Sequence, residues 1–557
     1  MCSYNAVNGK PSCANDWLLQ TVARENWNFD GYITSDCDAD ADVFRSHHYT
    51  ATPEEAVRDV LRAGTDVDCG GFVTANAQSA LDKGMITEQD MDDRLKMQFR
   101  VRMRLSHFDP LGPLNNIPTS VICSDYALEL SQSGVTQSAA LLKNMDHRLP
   151  LAGGAASLLT VAVIGPTALL SKADSSYYGP SNVCGGNFWT LVDAVNMTGG
   201  ENVKVVYSAG VPSVLSNDTS LIAAAVAVAQ AADVVILSVG TDLSWAAEGH
   251  DAKSIAFTAA QSQLIAQVSA AAKTPVIVVT MTATPLDLTA VLGNVKVGAV
   301  LHIGQPSVTV LGVGPLLFGD VSPAGRTIQT IYPSNYQDMI SIFDFNMRPG
   351  PSTFARPDCT NQNVSDCPLG TNPGRTYRFY TGNPVVQFGY GLSYTTFQYS
   401  QHDEYEGEEK KNKEKQLLIE LEPLRDLIKK TKSDGHIFIK SQHSSDAFDA
   451  AEWHELLSTK FAVNVTNTGT MDADDVVLGF LTPPGSGKNG AVLKQLFGFE
   501  RVHVKAGETK EVFLYPTMTD FATVQNGRQE ALTGEWLVSF GIEEDGHPFF
   551  ETTVTTV

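Results

Sequence analysis

Apolar and polar positions alternate on two different scales along the chain. In the middle, short apolar runs of strand type are separated by alanine-rich stretches such as Leu221–Ala232 and Phe257–Ala272, which are long enough for helices. Strands that alternate with helices are typical of a parallel sheet covered by helices on both faces. The pattern predicts an α/β domain over residues 125–345, with strands at Leu158–Ile164, Val203–Tyr207, Val234–Val239, Val276–Thr280 and Val297–Leu301.

Helix start signals organise residues 1–115. Thr52 with Glu55 three positions later has the pattern of a capping box, and Gly64 stands where a helix C-cap glycine belongs. A second box, Thr87 with Asp90, starts a helix that runs towards Phe108. Runs of strand type precede these helices, so the segment predicts βα units with strands at Tyr32–Thr34 and Thr65–Asp68.

The last third of the chain changes its period. Residues 346–400 are rich in loop-forming residues, and residues 402–455 hold a charge run that predicts a solvated insertion. From Lys460 onward apolar and polar residues alternate with a period of two, which is typical of strands with one buried face. A β-sandwich is expected over residues 456–557, with strands at Phe461–Thr466, Val476–Leu481, Glu511–Tyr515 and Trp536–Phe540.

Length and charge narrow the class of protein. A chain of 557 residues exceeds the roughly 250–300 over which one core usually grows, so several domains are expected. The 62 acidic and 39 basic residues give a net charge of -23. This charge argues against nucleic acid and anionic membranes, which need basic patches, and is compatible with a neutral ligand such as a sugar. No apolar run approaches the roughly 20 residues of a membrane span.

Cysteines and glycosylation sequons favour an extracellular protein. Three cysteine pairs close in sequence and without metal-type spacing predict disulfides, whereas the pairing of Cys123 and Cys184 is left open. Met1 is followed by polar residues without a signal peptide, so we expect that a signal has been lost with a missing N-terminus. The three pairs are Cys2–Cys13, Cys37–Cys69 and Cys359–Cys367, and the sequons begin at Asn196, Asn217, Asn363 and Asn464.

The N-terminal motifs resemble a known enzyme family. The pattern R-x-x-W-x-F-D-G over Arg24–Gly31, followed by Ser35-Asp36, resembles the nucleophile signature of family 3 glycoside hydrolases. The segment Met1–Gly9, which contains the motif S-Y-N, resembles the β-xylosidase branch of that family. The resemblance implies an α/β multidomain fold in which residues 1–115 are the C-terminal part of a (β/α)8-type barrel. An α/β sandwich domain over residues 125–345, a linker over residues 346–400 and a fibronectin type III-like β-sandwich over residues 456–557 would follow.

The resemblance also implies site residues. Retaining hydrolysis needs two carboxylates about 5–5.5 Å apart, and Asp36 matches the nucleophile. Glu248 matches the acid/base glutamate of a motif close to E-A-E-G-x-D-R, although Ala246 and Ala252 replace two charged residues of that motif. Tyr4 is expected to bind substrate beside Asp36. The implied reaction is the exo-acting release of xylose from the non-reducing ends of β-1,4-xylo-oligosaccharides, without metal or cofactor; the oligomeric state is left open.

Several alternatives stay open or are rejected on residues. The aspartates from Asp36 to Asp42 are not an EF-hand loop, because Ala41 and His47 stand where glycine and glutamate are required. Cys37 follows the nucleophile where β-glucosidases of the family usually carry tryptophan. An α-L-arabinofuranosidase, a β-glucosidase and an inactive, truncated sugar-binding remnant remain as alternatives. Since early barrel strands are expected to be missing, weak activity and a tendency to associate are also expected.

Overall fold

The computed structural model divides the chain into two compact units. The described residues up to Thr119 form the first unit, and those from Ser120 onward form the second. Most of the charged insertion predicted over residues 402–455 lies outside the described residues, and the domain boundaries predicted above stay predictions. The structure describes residues 1–112, 116–151, 158–170, 183–186, 188–306, 310–361, 363–401, 417–419, 461–525, 528–543 and 546–556.

The first unit combines helices with short extended segments. Its segments run parallel, since Cys2 pairs with Ser35 and Thr34 pairs with Val67. The two strands predicted here are therefore present only as single-residue bridges. A small hairpin of β1 (Ala6–Val7) and β2 (Lys10–Pro11) precedes helices at Trp17–Asn26, Asp42–Arg45, Pro53–Ala63, Phe72–Asp82 and Glu88–Arg104.

Both predicted capping boxes of the first unit are confirmed. The Thr52 hydroxyl accepts the Glu55 N–H at 3.3 Å, and the Glu55 carboxylate accepts the Thr52 N–H at 3.1 Å. Gly64 ends this helix with a φ of 109°, and a Cβ there would meet the Gln20 amide at 2.4 Å. The second box begins the helix Glu88–Arg104 at Thr87. These caps fix the helix positions beside the parallel segments.

A six-stranded sheet forms the centre of the second unit. All its strands are parallel except β3, which runs antiparallel to β8, and their order is β3-β8-β7-β6-β4-β5. The five predicted strands are confirmed within two residues, whereas β3 was not predicted. The strands are β3 (Ala140–Asn144), β4 (Leu159–Ile164), β5 (Val203–Ser208), β6 (Val234–Gly240), β7 (Val276–Met281) and β8 (Val297–His302).

Helices cover both faces of this sheet. Alternate residues of β6 enter different cores, so that Leu237 packs with Leu264 on one face and Ile236 packs with Leu316 on the other. A short antiparallel pair, β9 (Gly350–Ala355) with β10 (Leu369–Asn372), follows the sheet. The helices are Asp125–Ser138, Leu191–Gly199, Ile222–Ala231, Ala259–Ala271, Thr289–Leu292, Val313–Phe318, Tyr336–Met339 and Thr376–Phe379.

The C-terminal residues form a β-sandwich, as predicted. One sheet has the order β11-β13-β16 and the other β12-β20-β19-β14-β15, with a hairpin of β17 and β18 beside them. Trp536, Phe540 and Phe521 fill the core without exposed surface. The strands are β11 (Phe397–Gln401), β12 (Leu417–Ile419), β13 (Phe461–Asn467), β14 (Ala473–Thr482), β15 (Gln495–Val504), β16 (Thr509–Leu514), β17 (Ala522–Gln525), β18 (Arg528–Ala531), β19 (Gly534–Phe540) and β20 (Phe550–Thr556).

A buried ion pair connects the sandwich to the rest of the second unit. The Asp475 carboxylate on β14 has 1% exposed side-chain surface and pairs with Arg326, which precedes the linker. The Tyr399 hydroxyl on β11 donates to the same carboxylate at 2.8 Å. Arg326 also donates to the carbonyl oxygen of Gly391. The charge of Asp475 is thus balanced by a residue outside the sandwich.

All eight cysteines lie among the described residues, and all are in disulfides. The three predicted pairs Cys2–Cys13, Cys37–Cys69 and Cys359–Cys367 are present, and the pair left open is Cys123–Cys184. Among the described helices, none has both the length and the apolar character needed to cross a bilayer.

Candidate active site

Asp36 lies at the end of an extended segment of the first unit. Its backbone N–H donates to the carbonyl oxygen of Cys2 at 2.8 Å, which continues the parallel pairing of the segments. Its Oδ1 accepts the Cys37 N–H at 2.8 Å and lies 3.2 Å from the Tyr4 hydroxyl oxygen. Its Oδ2 accepts no hydrogen bond from a described residue of this unit. The carboxylate is partly exposed, so one oxygen is held and the other is open to a ligand.

Tyr4 is held beside Asp36 at both ends. Its hydroxyl donates to the Cys37 carbonyl oxygen at 2.8 Å, and its own carbonyl oxygen accepts from His47 Nε2 at 2.7 Å. Since a carbonyl oxygen only accepts, His47 carries its proton on Nε2 in this contact. The structure therefore brings the predicted pair together. His47 was missed by the sequence analysis, because its role depends on a backbone contact.

A disulfide fixes the loop that follows Asp36. Cys37 is bonded to Cys69, and the Asp38 N–H donates to the Cys69 carbonyl oxygen at 2.8 Å. Gly70 lies so close that a Cβ there would approach Asp38 Oδ1 to 2.8 Å. The backbone groups of Cys37 that contact Asp36 and Tyr4 are thus anchored to the neighbouring segment.

The arginine of the nucleophile signature, Arg24, forms a buried ion pair. Arg24 pairs with the fully buried Asp66 at 2.5 Å, and Arg94 pairs with the same carboxylate at 3.1 Å. Asp66 also accepts the Ile33 N–H at 2.7 Å. Burial raises the pKa of Asp66, while this N–H and the two guanidinium groups oppose that change. Through the Ile33 N–H, these contacts hold the extended segment that ends at Asp36.

Two further carboxyl groups meet beneath the loop. Asp40 has no exposed surface, and its Oδ1 accepts the Ala41 N–H at 2.9 Å, while Asp68 Oδ2 accepts the Val73 N–H at 2.9 Å. Their remaining oxygens are buried without a donor among the described groups. Burial, followed by a hydrogen bond to Asp68 and repulsion by its charge, raises the pKa of Asp40 to about 7. Two carboxyl groups can hydrogen-bond only by sharing a proton, so the pair holds one proton between its two carboxyl groups.

Glu248 lies at the tip of a tight turn in the second unit. Ala247 and His250 exchange two backbone hydrogen bonds of 2.9 Å, which leaves Glu248 and Gly249 as the central residues. Gly249 has a φ of 70°, which a central glycine adopts without strain. His250 Nε2 contacts the Ser244 carbonyl oxygen at 3.0 Å. The Glu248 side chain is exposed on a closed, hydrogen-bonded tip.

The base of this loop is anchored where β6 ends. Gly240 has a φ of 147°, and a Cβ there would lie 1.8 Å from the Met281 carbonyl oxygen. Gln261, which is fully buried, accepts the Gly240 N–H at 3.1 Å and donates to the Gly240 carbonyl oxygen at 3.0 Å. Trp245 is 5% exposed and packs into the core beside β6. The Glu248 loop therefore starts from a rigid base at the carboxyl end of a parallel strand.

Asp36 and Tyr4 belong to the first unit and Glu248 to the second. The contacts around Asp36 and those around Glu248 are each defined within their own unit. The prediction that the two carboxylates face each other stays a prediction.

Comparisons with known proteins agree on one family. The model described as the glycosyl hydrolase family 3 N terminal domain matches residues 1–101, and the C-terminal domain model of the same family matches residues 139–394. A probable β-D-xylosidase 6 of Arabidopsis thaliana is 35% identical over 516 residues, covering 92% of this chain and 60% of that protein. A probable exo-1,4-β-xylosidase of Aspergillus fumigatus is 33% identical, covering 100% of this chain and 65% of that protein.

A solved structure extends the agreement to the fold. A GH3 exo-β-xylosidase in complex with a xylobiose aziridine activity-based probe has a TM-score of 0.79 and 25% identity, and the match covers 100% of this chain and 66% of that chain. This chain thus spans less than two thirds of the length of these relatives. The family predicted from the motifs at Arg24–Gly31 and Asp36 is confirmed, as is the α/β fold with a C-terminal β-sandwich. The chain belongs to glycosyl hydrolase family 3.

Proposed function

We propose that this protein is an exo-acting, retaining glycoside hydrolase that releases xylose from the non-reducing ends of β-1,4-xylo-oligosaccharides. The observation that carries the proposal is the geometry of Asp36, whose Oδ1 is held by the Cys37 N–H and lies beside Tyr4 while Oδ2 is open to a ligand. The names of the two xylosidase relatives and of the xylobiose-probe complex support xylose as the sugar.

The reaction requires two roles for carboxylates. Asp36 Oδ2 attacks the anomeric carbon and forms a glycosyl-enzyme ester, while Glu248 donates its proton to the leaving glycosidic oxygen. Glu248 then removes a proton from water, which attacks the anomeric carbon and releases Asp36. The anchored Cys37 N–H keeps the other oxygen of Asp36 fixed, so the attacking oxygen is oriented before substrate binds. Tyr4 contributes a phenol beside the sugar site.

The sugar preference is the finer part of the proposal. Xylose lacks the hydroxymethyl arm of glucose, so its selection depends on walls that exclude this arm. The Cys37–Cys69 disulfide is rigid and lies directly beside Asp36, where the family's β-glucosidases usually carry tryptophan. An arabinofuranosidase or β-glucosidase preference remains the alternative within the family. A chain that binds sugars without turnover is the alternative outside catalysis.

An extracellular location is part of the same proposal. All eight cysteines are paired, and disulfides persist in oxidising compartments. Three of the sequon asparagines, Asn196, Asn217 and Asn363, are exposed, whereas Asn464 lies within β13. Glycan mapping of secreted material should find sugar at the exposed positions. Free thiols at Cys37 and Cys69 in that material would contradict the location.

The test compares nitrophenyl β-xyloside, α-L-arabinofuranoside and β-glucoside as substrates of the purified chain. We expect the xyloside to have the highest kcat/KM and Asp36→Asn to abolish its turnover, because no nucleophile remains. Asp38→Asn is the matched control, since Asp38 is an exposed loop aspartate two positions away. Glu248→Ala should retain turnover of substrates with good leaving groups and regain rate with azide.

Each outcome decides a separate part. Preference for another glycoside would move the proposal to that sugar. Equal loss in Asp36→Asn and Asp38→Asn would remove the nucleophile assignment, and the absence of azide rescue would remove Glu248. Binding of xylobiose without any turnover would favour the non-catalytic alternative.

A further inference from the structure

A cavity lies in the second unit, apart from the residues assigned above. Its volume is about 240 Å³, below the roughly 300–1,000 Å³ of pockets for drug-sized ligands. The walls come from the linker, which supplies Tyr377, Tyr380 and Phe388, and from the segment entering β15, which supplies Lys494. A cavity of this size suits one six-membered ring rather than an oligosaccharide.

The aromatic walls are held in place before any ligand binds. Tyr377 stacks on Phe388 with ring centroids 4.2 Å apart, and both rings pack edge-on against Phe480. The Tyr377 hydroxyl accepts the Leu496 N–H at 3.2 Å, which ties the linker to β15. Tyr380 is fixed separately, since it packs edge-on against Tyr332 at 4.9 Å. Rigid aromatic surfaces lose little entropy when a flat ring binds to them.

Lys494 places a positive charge in this cavity. Its Nζ lies 4.7 Å from the ring centroid of Phe480, which has no exposed surface, so the ammonium group is drawn inward rather than extended into solvent. Burial lowers the pKa of Lys494. No carboxylate of a described residue forms an ion pair with it. The cavity thus contains a partly desolvated cation. Among the described residues, its one charge-dependent contact is the cation–π contact with Phe480.

Two neutral polar groups complete the lining. Thr330 is 6% exposed, and its Oγ1 is buried away from the space of the cavity. The Gln387 amide also lines the cavity. The Thr330 hydroxyl is therefore not available to a ligand, and Lys494 is the charged group that a ligand would meet.

We propose that this cavity binds a ring-bearing carboxylate, with the carboxylate on Lys494 and the ring against Tyr377 and Tyr380. The cation selects a negative charge, and the aromatic walls select a flat or chair-shaped ring. A hexuronic acid and an aromatic acid share this chemistry. The site is separate from the glycosidase assignment and does not depend on it.

The test measures binding to the full chain by isothermal titration calorimetry with sodium glucuronate, sodium benzoate and neutral benzamide. Lys494→Met keeps the apolar stem over Phe480 and removes the charge. We expect it to weaken carboxylate binding about tenfold or more, as loss of a charged hydrogen bond does. Lys488→Met, an exposed lysine six positions earlier, is the matched control and should bind as the parent does.

A second variant separates binding from folding. Lys494→Arg keeps the positive charge, so it should retain carboxylate binding that Lys494→Met loses, and equal thermal unfolding temperatures of the two variants would show that the difference is not one of folding. Tighter binding of glucuronate than benzoate would identify a sugar acid as the ligand, and the reverse order an aromatic acid. Carboxylate affinities that are equal in the parent and Lys494→Met, or benzamide binding as tight as benzoate, would overturn the proposal.

Discussion

At Asp36 and the residues around it, backbone groups do most of the positioning. The Cys37 N–H holds one oxygen of the carboxylate, and the Cys37 carbonyl oxygen holds the Tyr4 hydroxyl. The motif identified Asp36 and Tyr4, because their side chains carry the family's chemistry. It did not identify His47, because a residue that contacts only a carbonyl oxygen leaves no type-specific pattern. Nor did it indicate that Asp40 and Asp68 share a proton, since the aspartate run resembles any solvated acidic loop until burial is known.

The buried acid pair predicts a pH dependence of stability in the first unit. Asp40 has a pKa of about 7 in the folded chain and about 3.9 when unfolded. Between these values the unfolded state releases the proton that the folded state keeps, so the free energy of unfolding falls as the pH rises from about 4 to 7. The full loss is at most about 4 kcal/mol for this shift.

Asp40→Asn should remove this dependence, because an amide donates to Asp68 without titrating. We expect the variant to gain stability relative to the parent as the pH rises from 5 to 8. Hydrogen-exchange mass spectrometry of peptides within residues 1–112 measures the local free energy of opening. Asp92→Asn, an exposed aspartate of the same unit, is the control. Parallel pH profiles for the parent and Asp40→Asn would show that the pair does not hold a proton.

At the scale of elements, the pattern of apolar residues was sufficient to predict strands that are buried along their whole length. The five parallel strands of the central sheet were predicted within two residues of their ends, because parallel strands buried on both faces are continuous apolar runs. The edge strand β3 (Ala140–Asn144) was missed, since it follows a helix directly and ends in Lys143 and Asn144. The pairing of Cys123 with Cys184 was also beyond the sequence, because 61 positions separate the two residues. A disulfide between cysteines that are far apart in sequence depends on the topology of the fold rather than on a local sequence pattern.

The end of β6 predicts a large difference between two glycines near Glu248. Gly240→Ala should destabilise the second unit by at least about 3 kcal/mol, because its Cβ would lie 1.8 Å from the Met281 carbonyl oxygen and its φ of 147° is strained for alanine. Gly249→Ala should cost only about 1–2 kcal/mol, since its φ is 70° and no atom lies within 4 Å. Urea denaturation of both variants gives the comparison. Equal losses would mean that the clash at β6 is relieved by movement of the neighbouring strand.

At the scale of the whole molecule, the net charge of -23 sets the partners that the surface can accept. An acidic surface repels nucleic acid and anionic membranes, and a neutral oligosaccharide is unaffected by it. On a protein of this negative charge, Lys494 is a local site for small anions, because they reach it only through the cavity that it lines. The sequence could predict the overall charge but not this exception, since Lys494 gains its environment from Phe480 and Tyr377, which are distant along the chain.

Because of the ion pair between Arg326 and Asp475, we expect the β-sandwich to lose stability when it is excised from the chain. A fragment of residues 397–556 would keep β11 with Tyr399 but lose Arg326, which leaves the Asp475 charge buried and uncompensated at a cost of about 3–5 kcal/mol. Asp475→Asn should therefore stabilise the excised fragment and destabilise the full chain, a reversal of sign that thermal unfolding of the four proteins would reveal. The same sign in both would mean that the sandwich tolerates the charge alone. Grafting this sandwich onto another enzyme would then require a new arginine at the junction or a neutral residue at position 475.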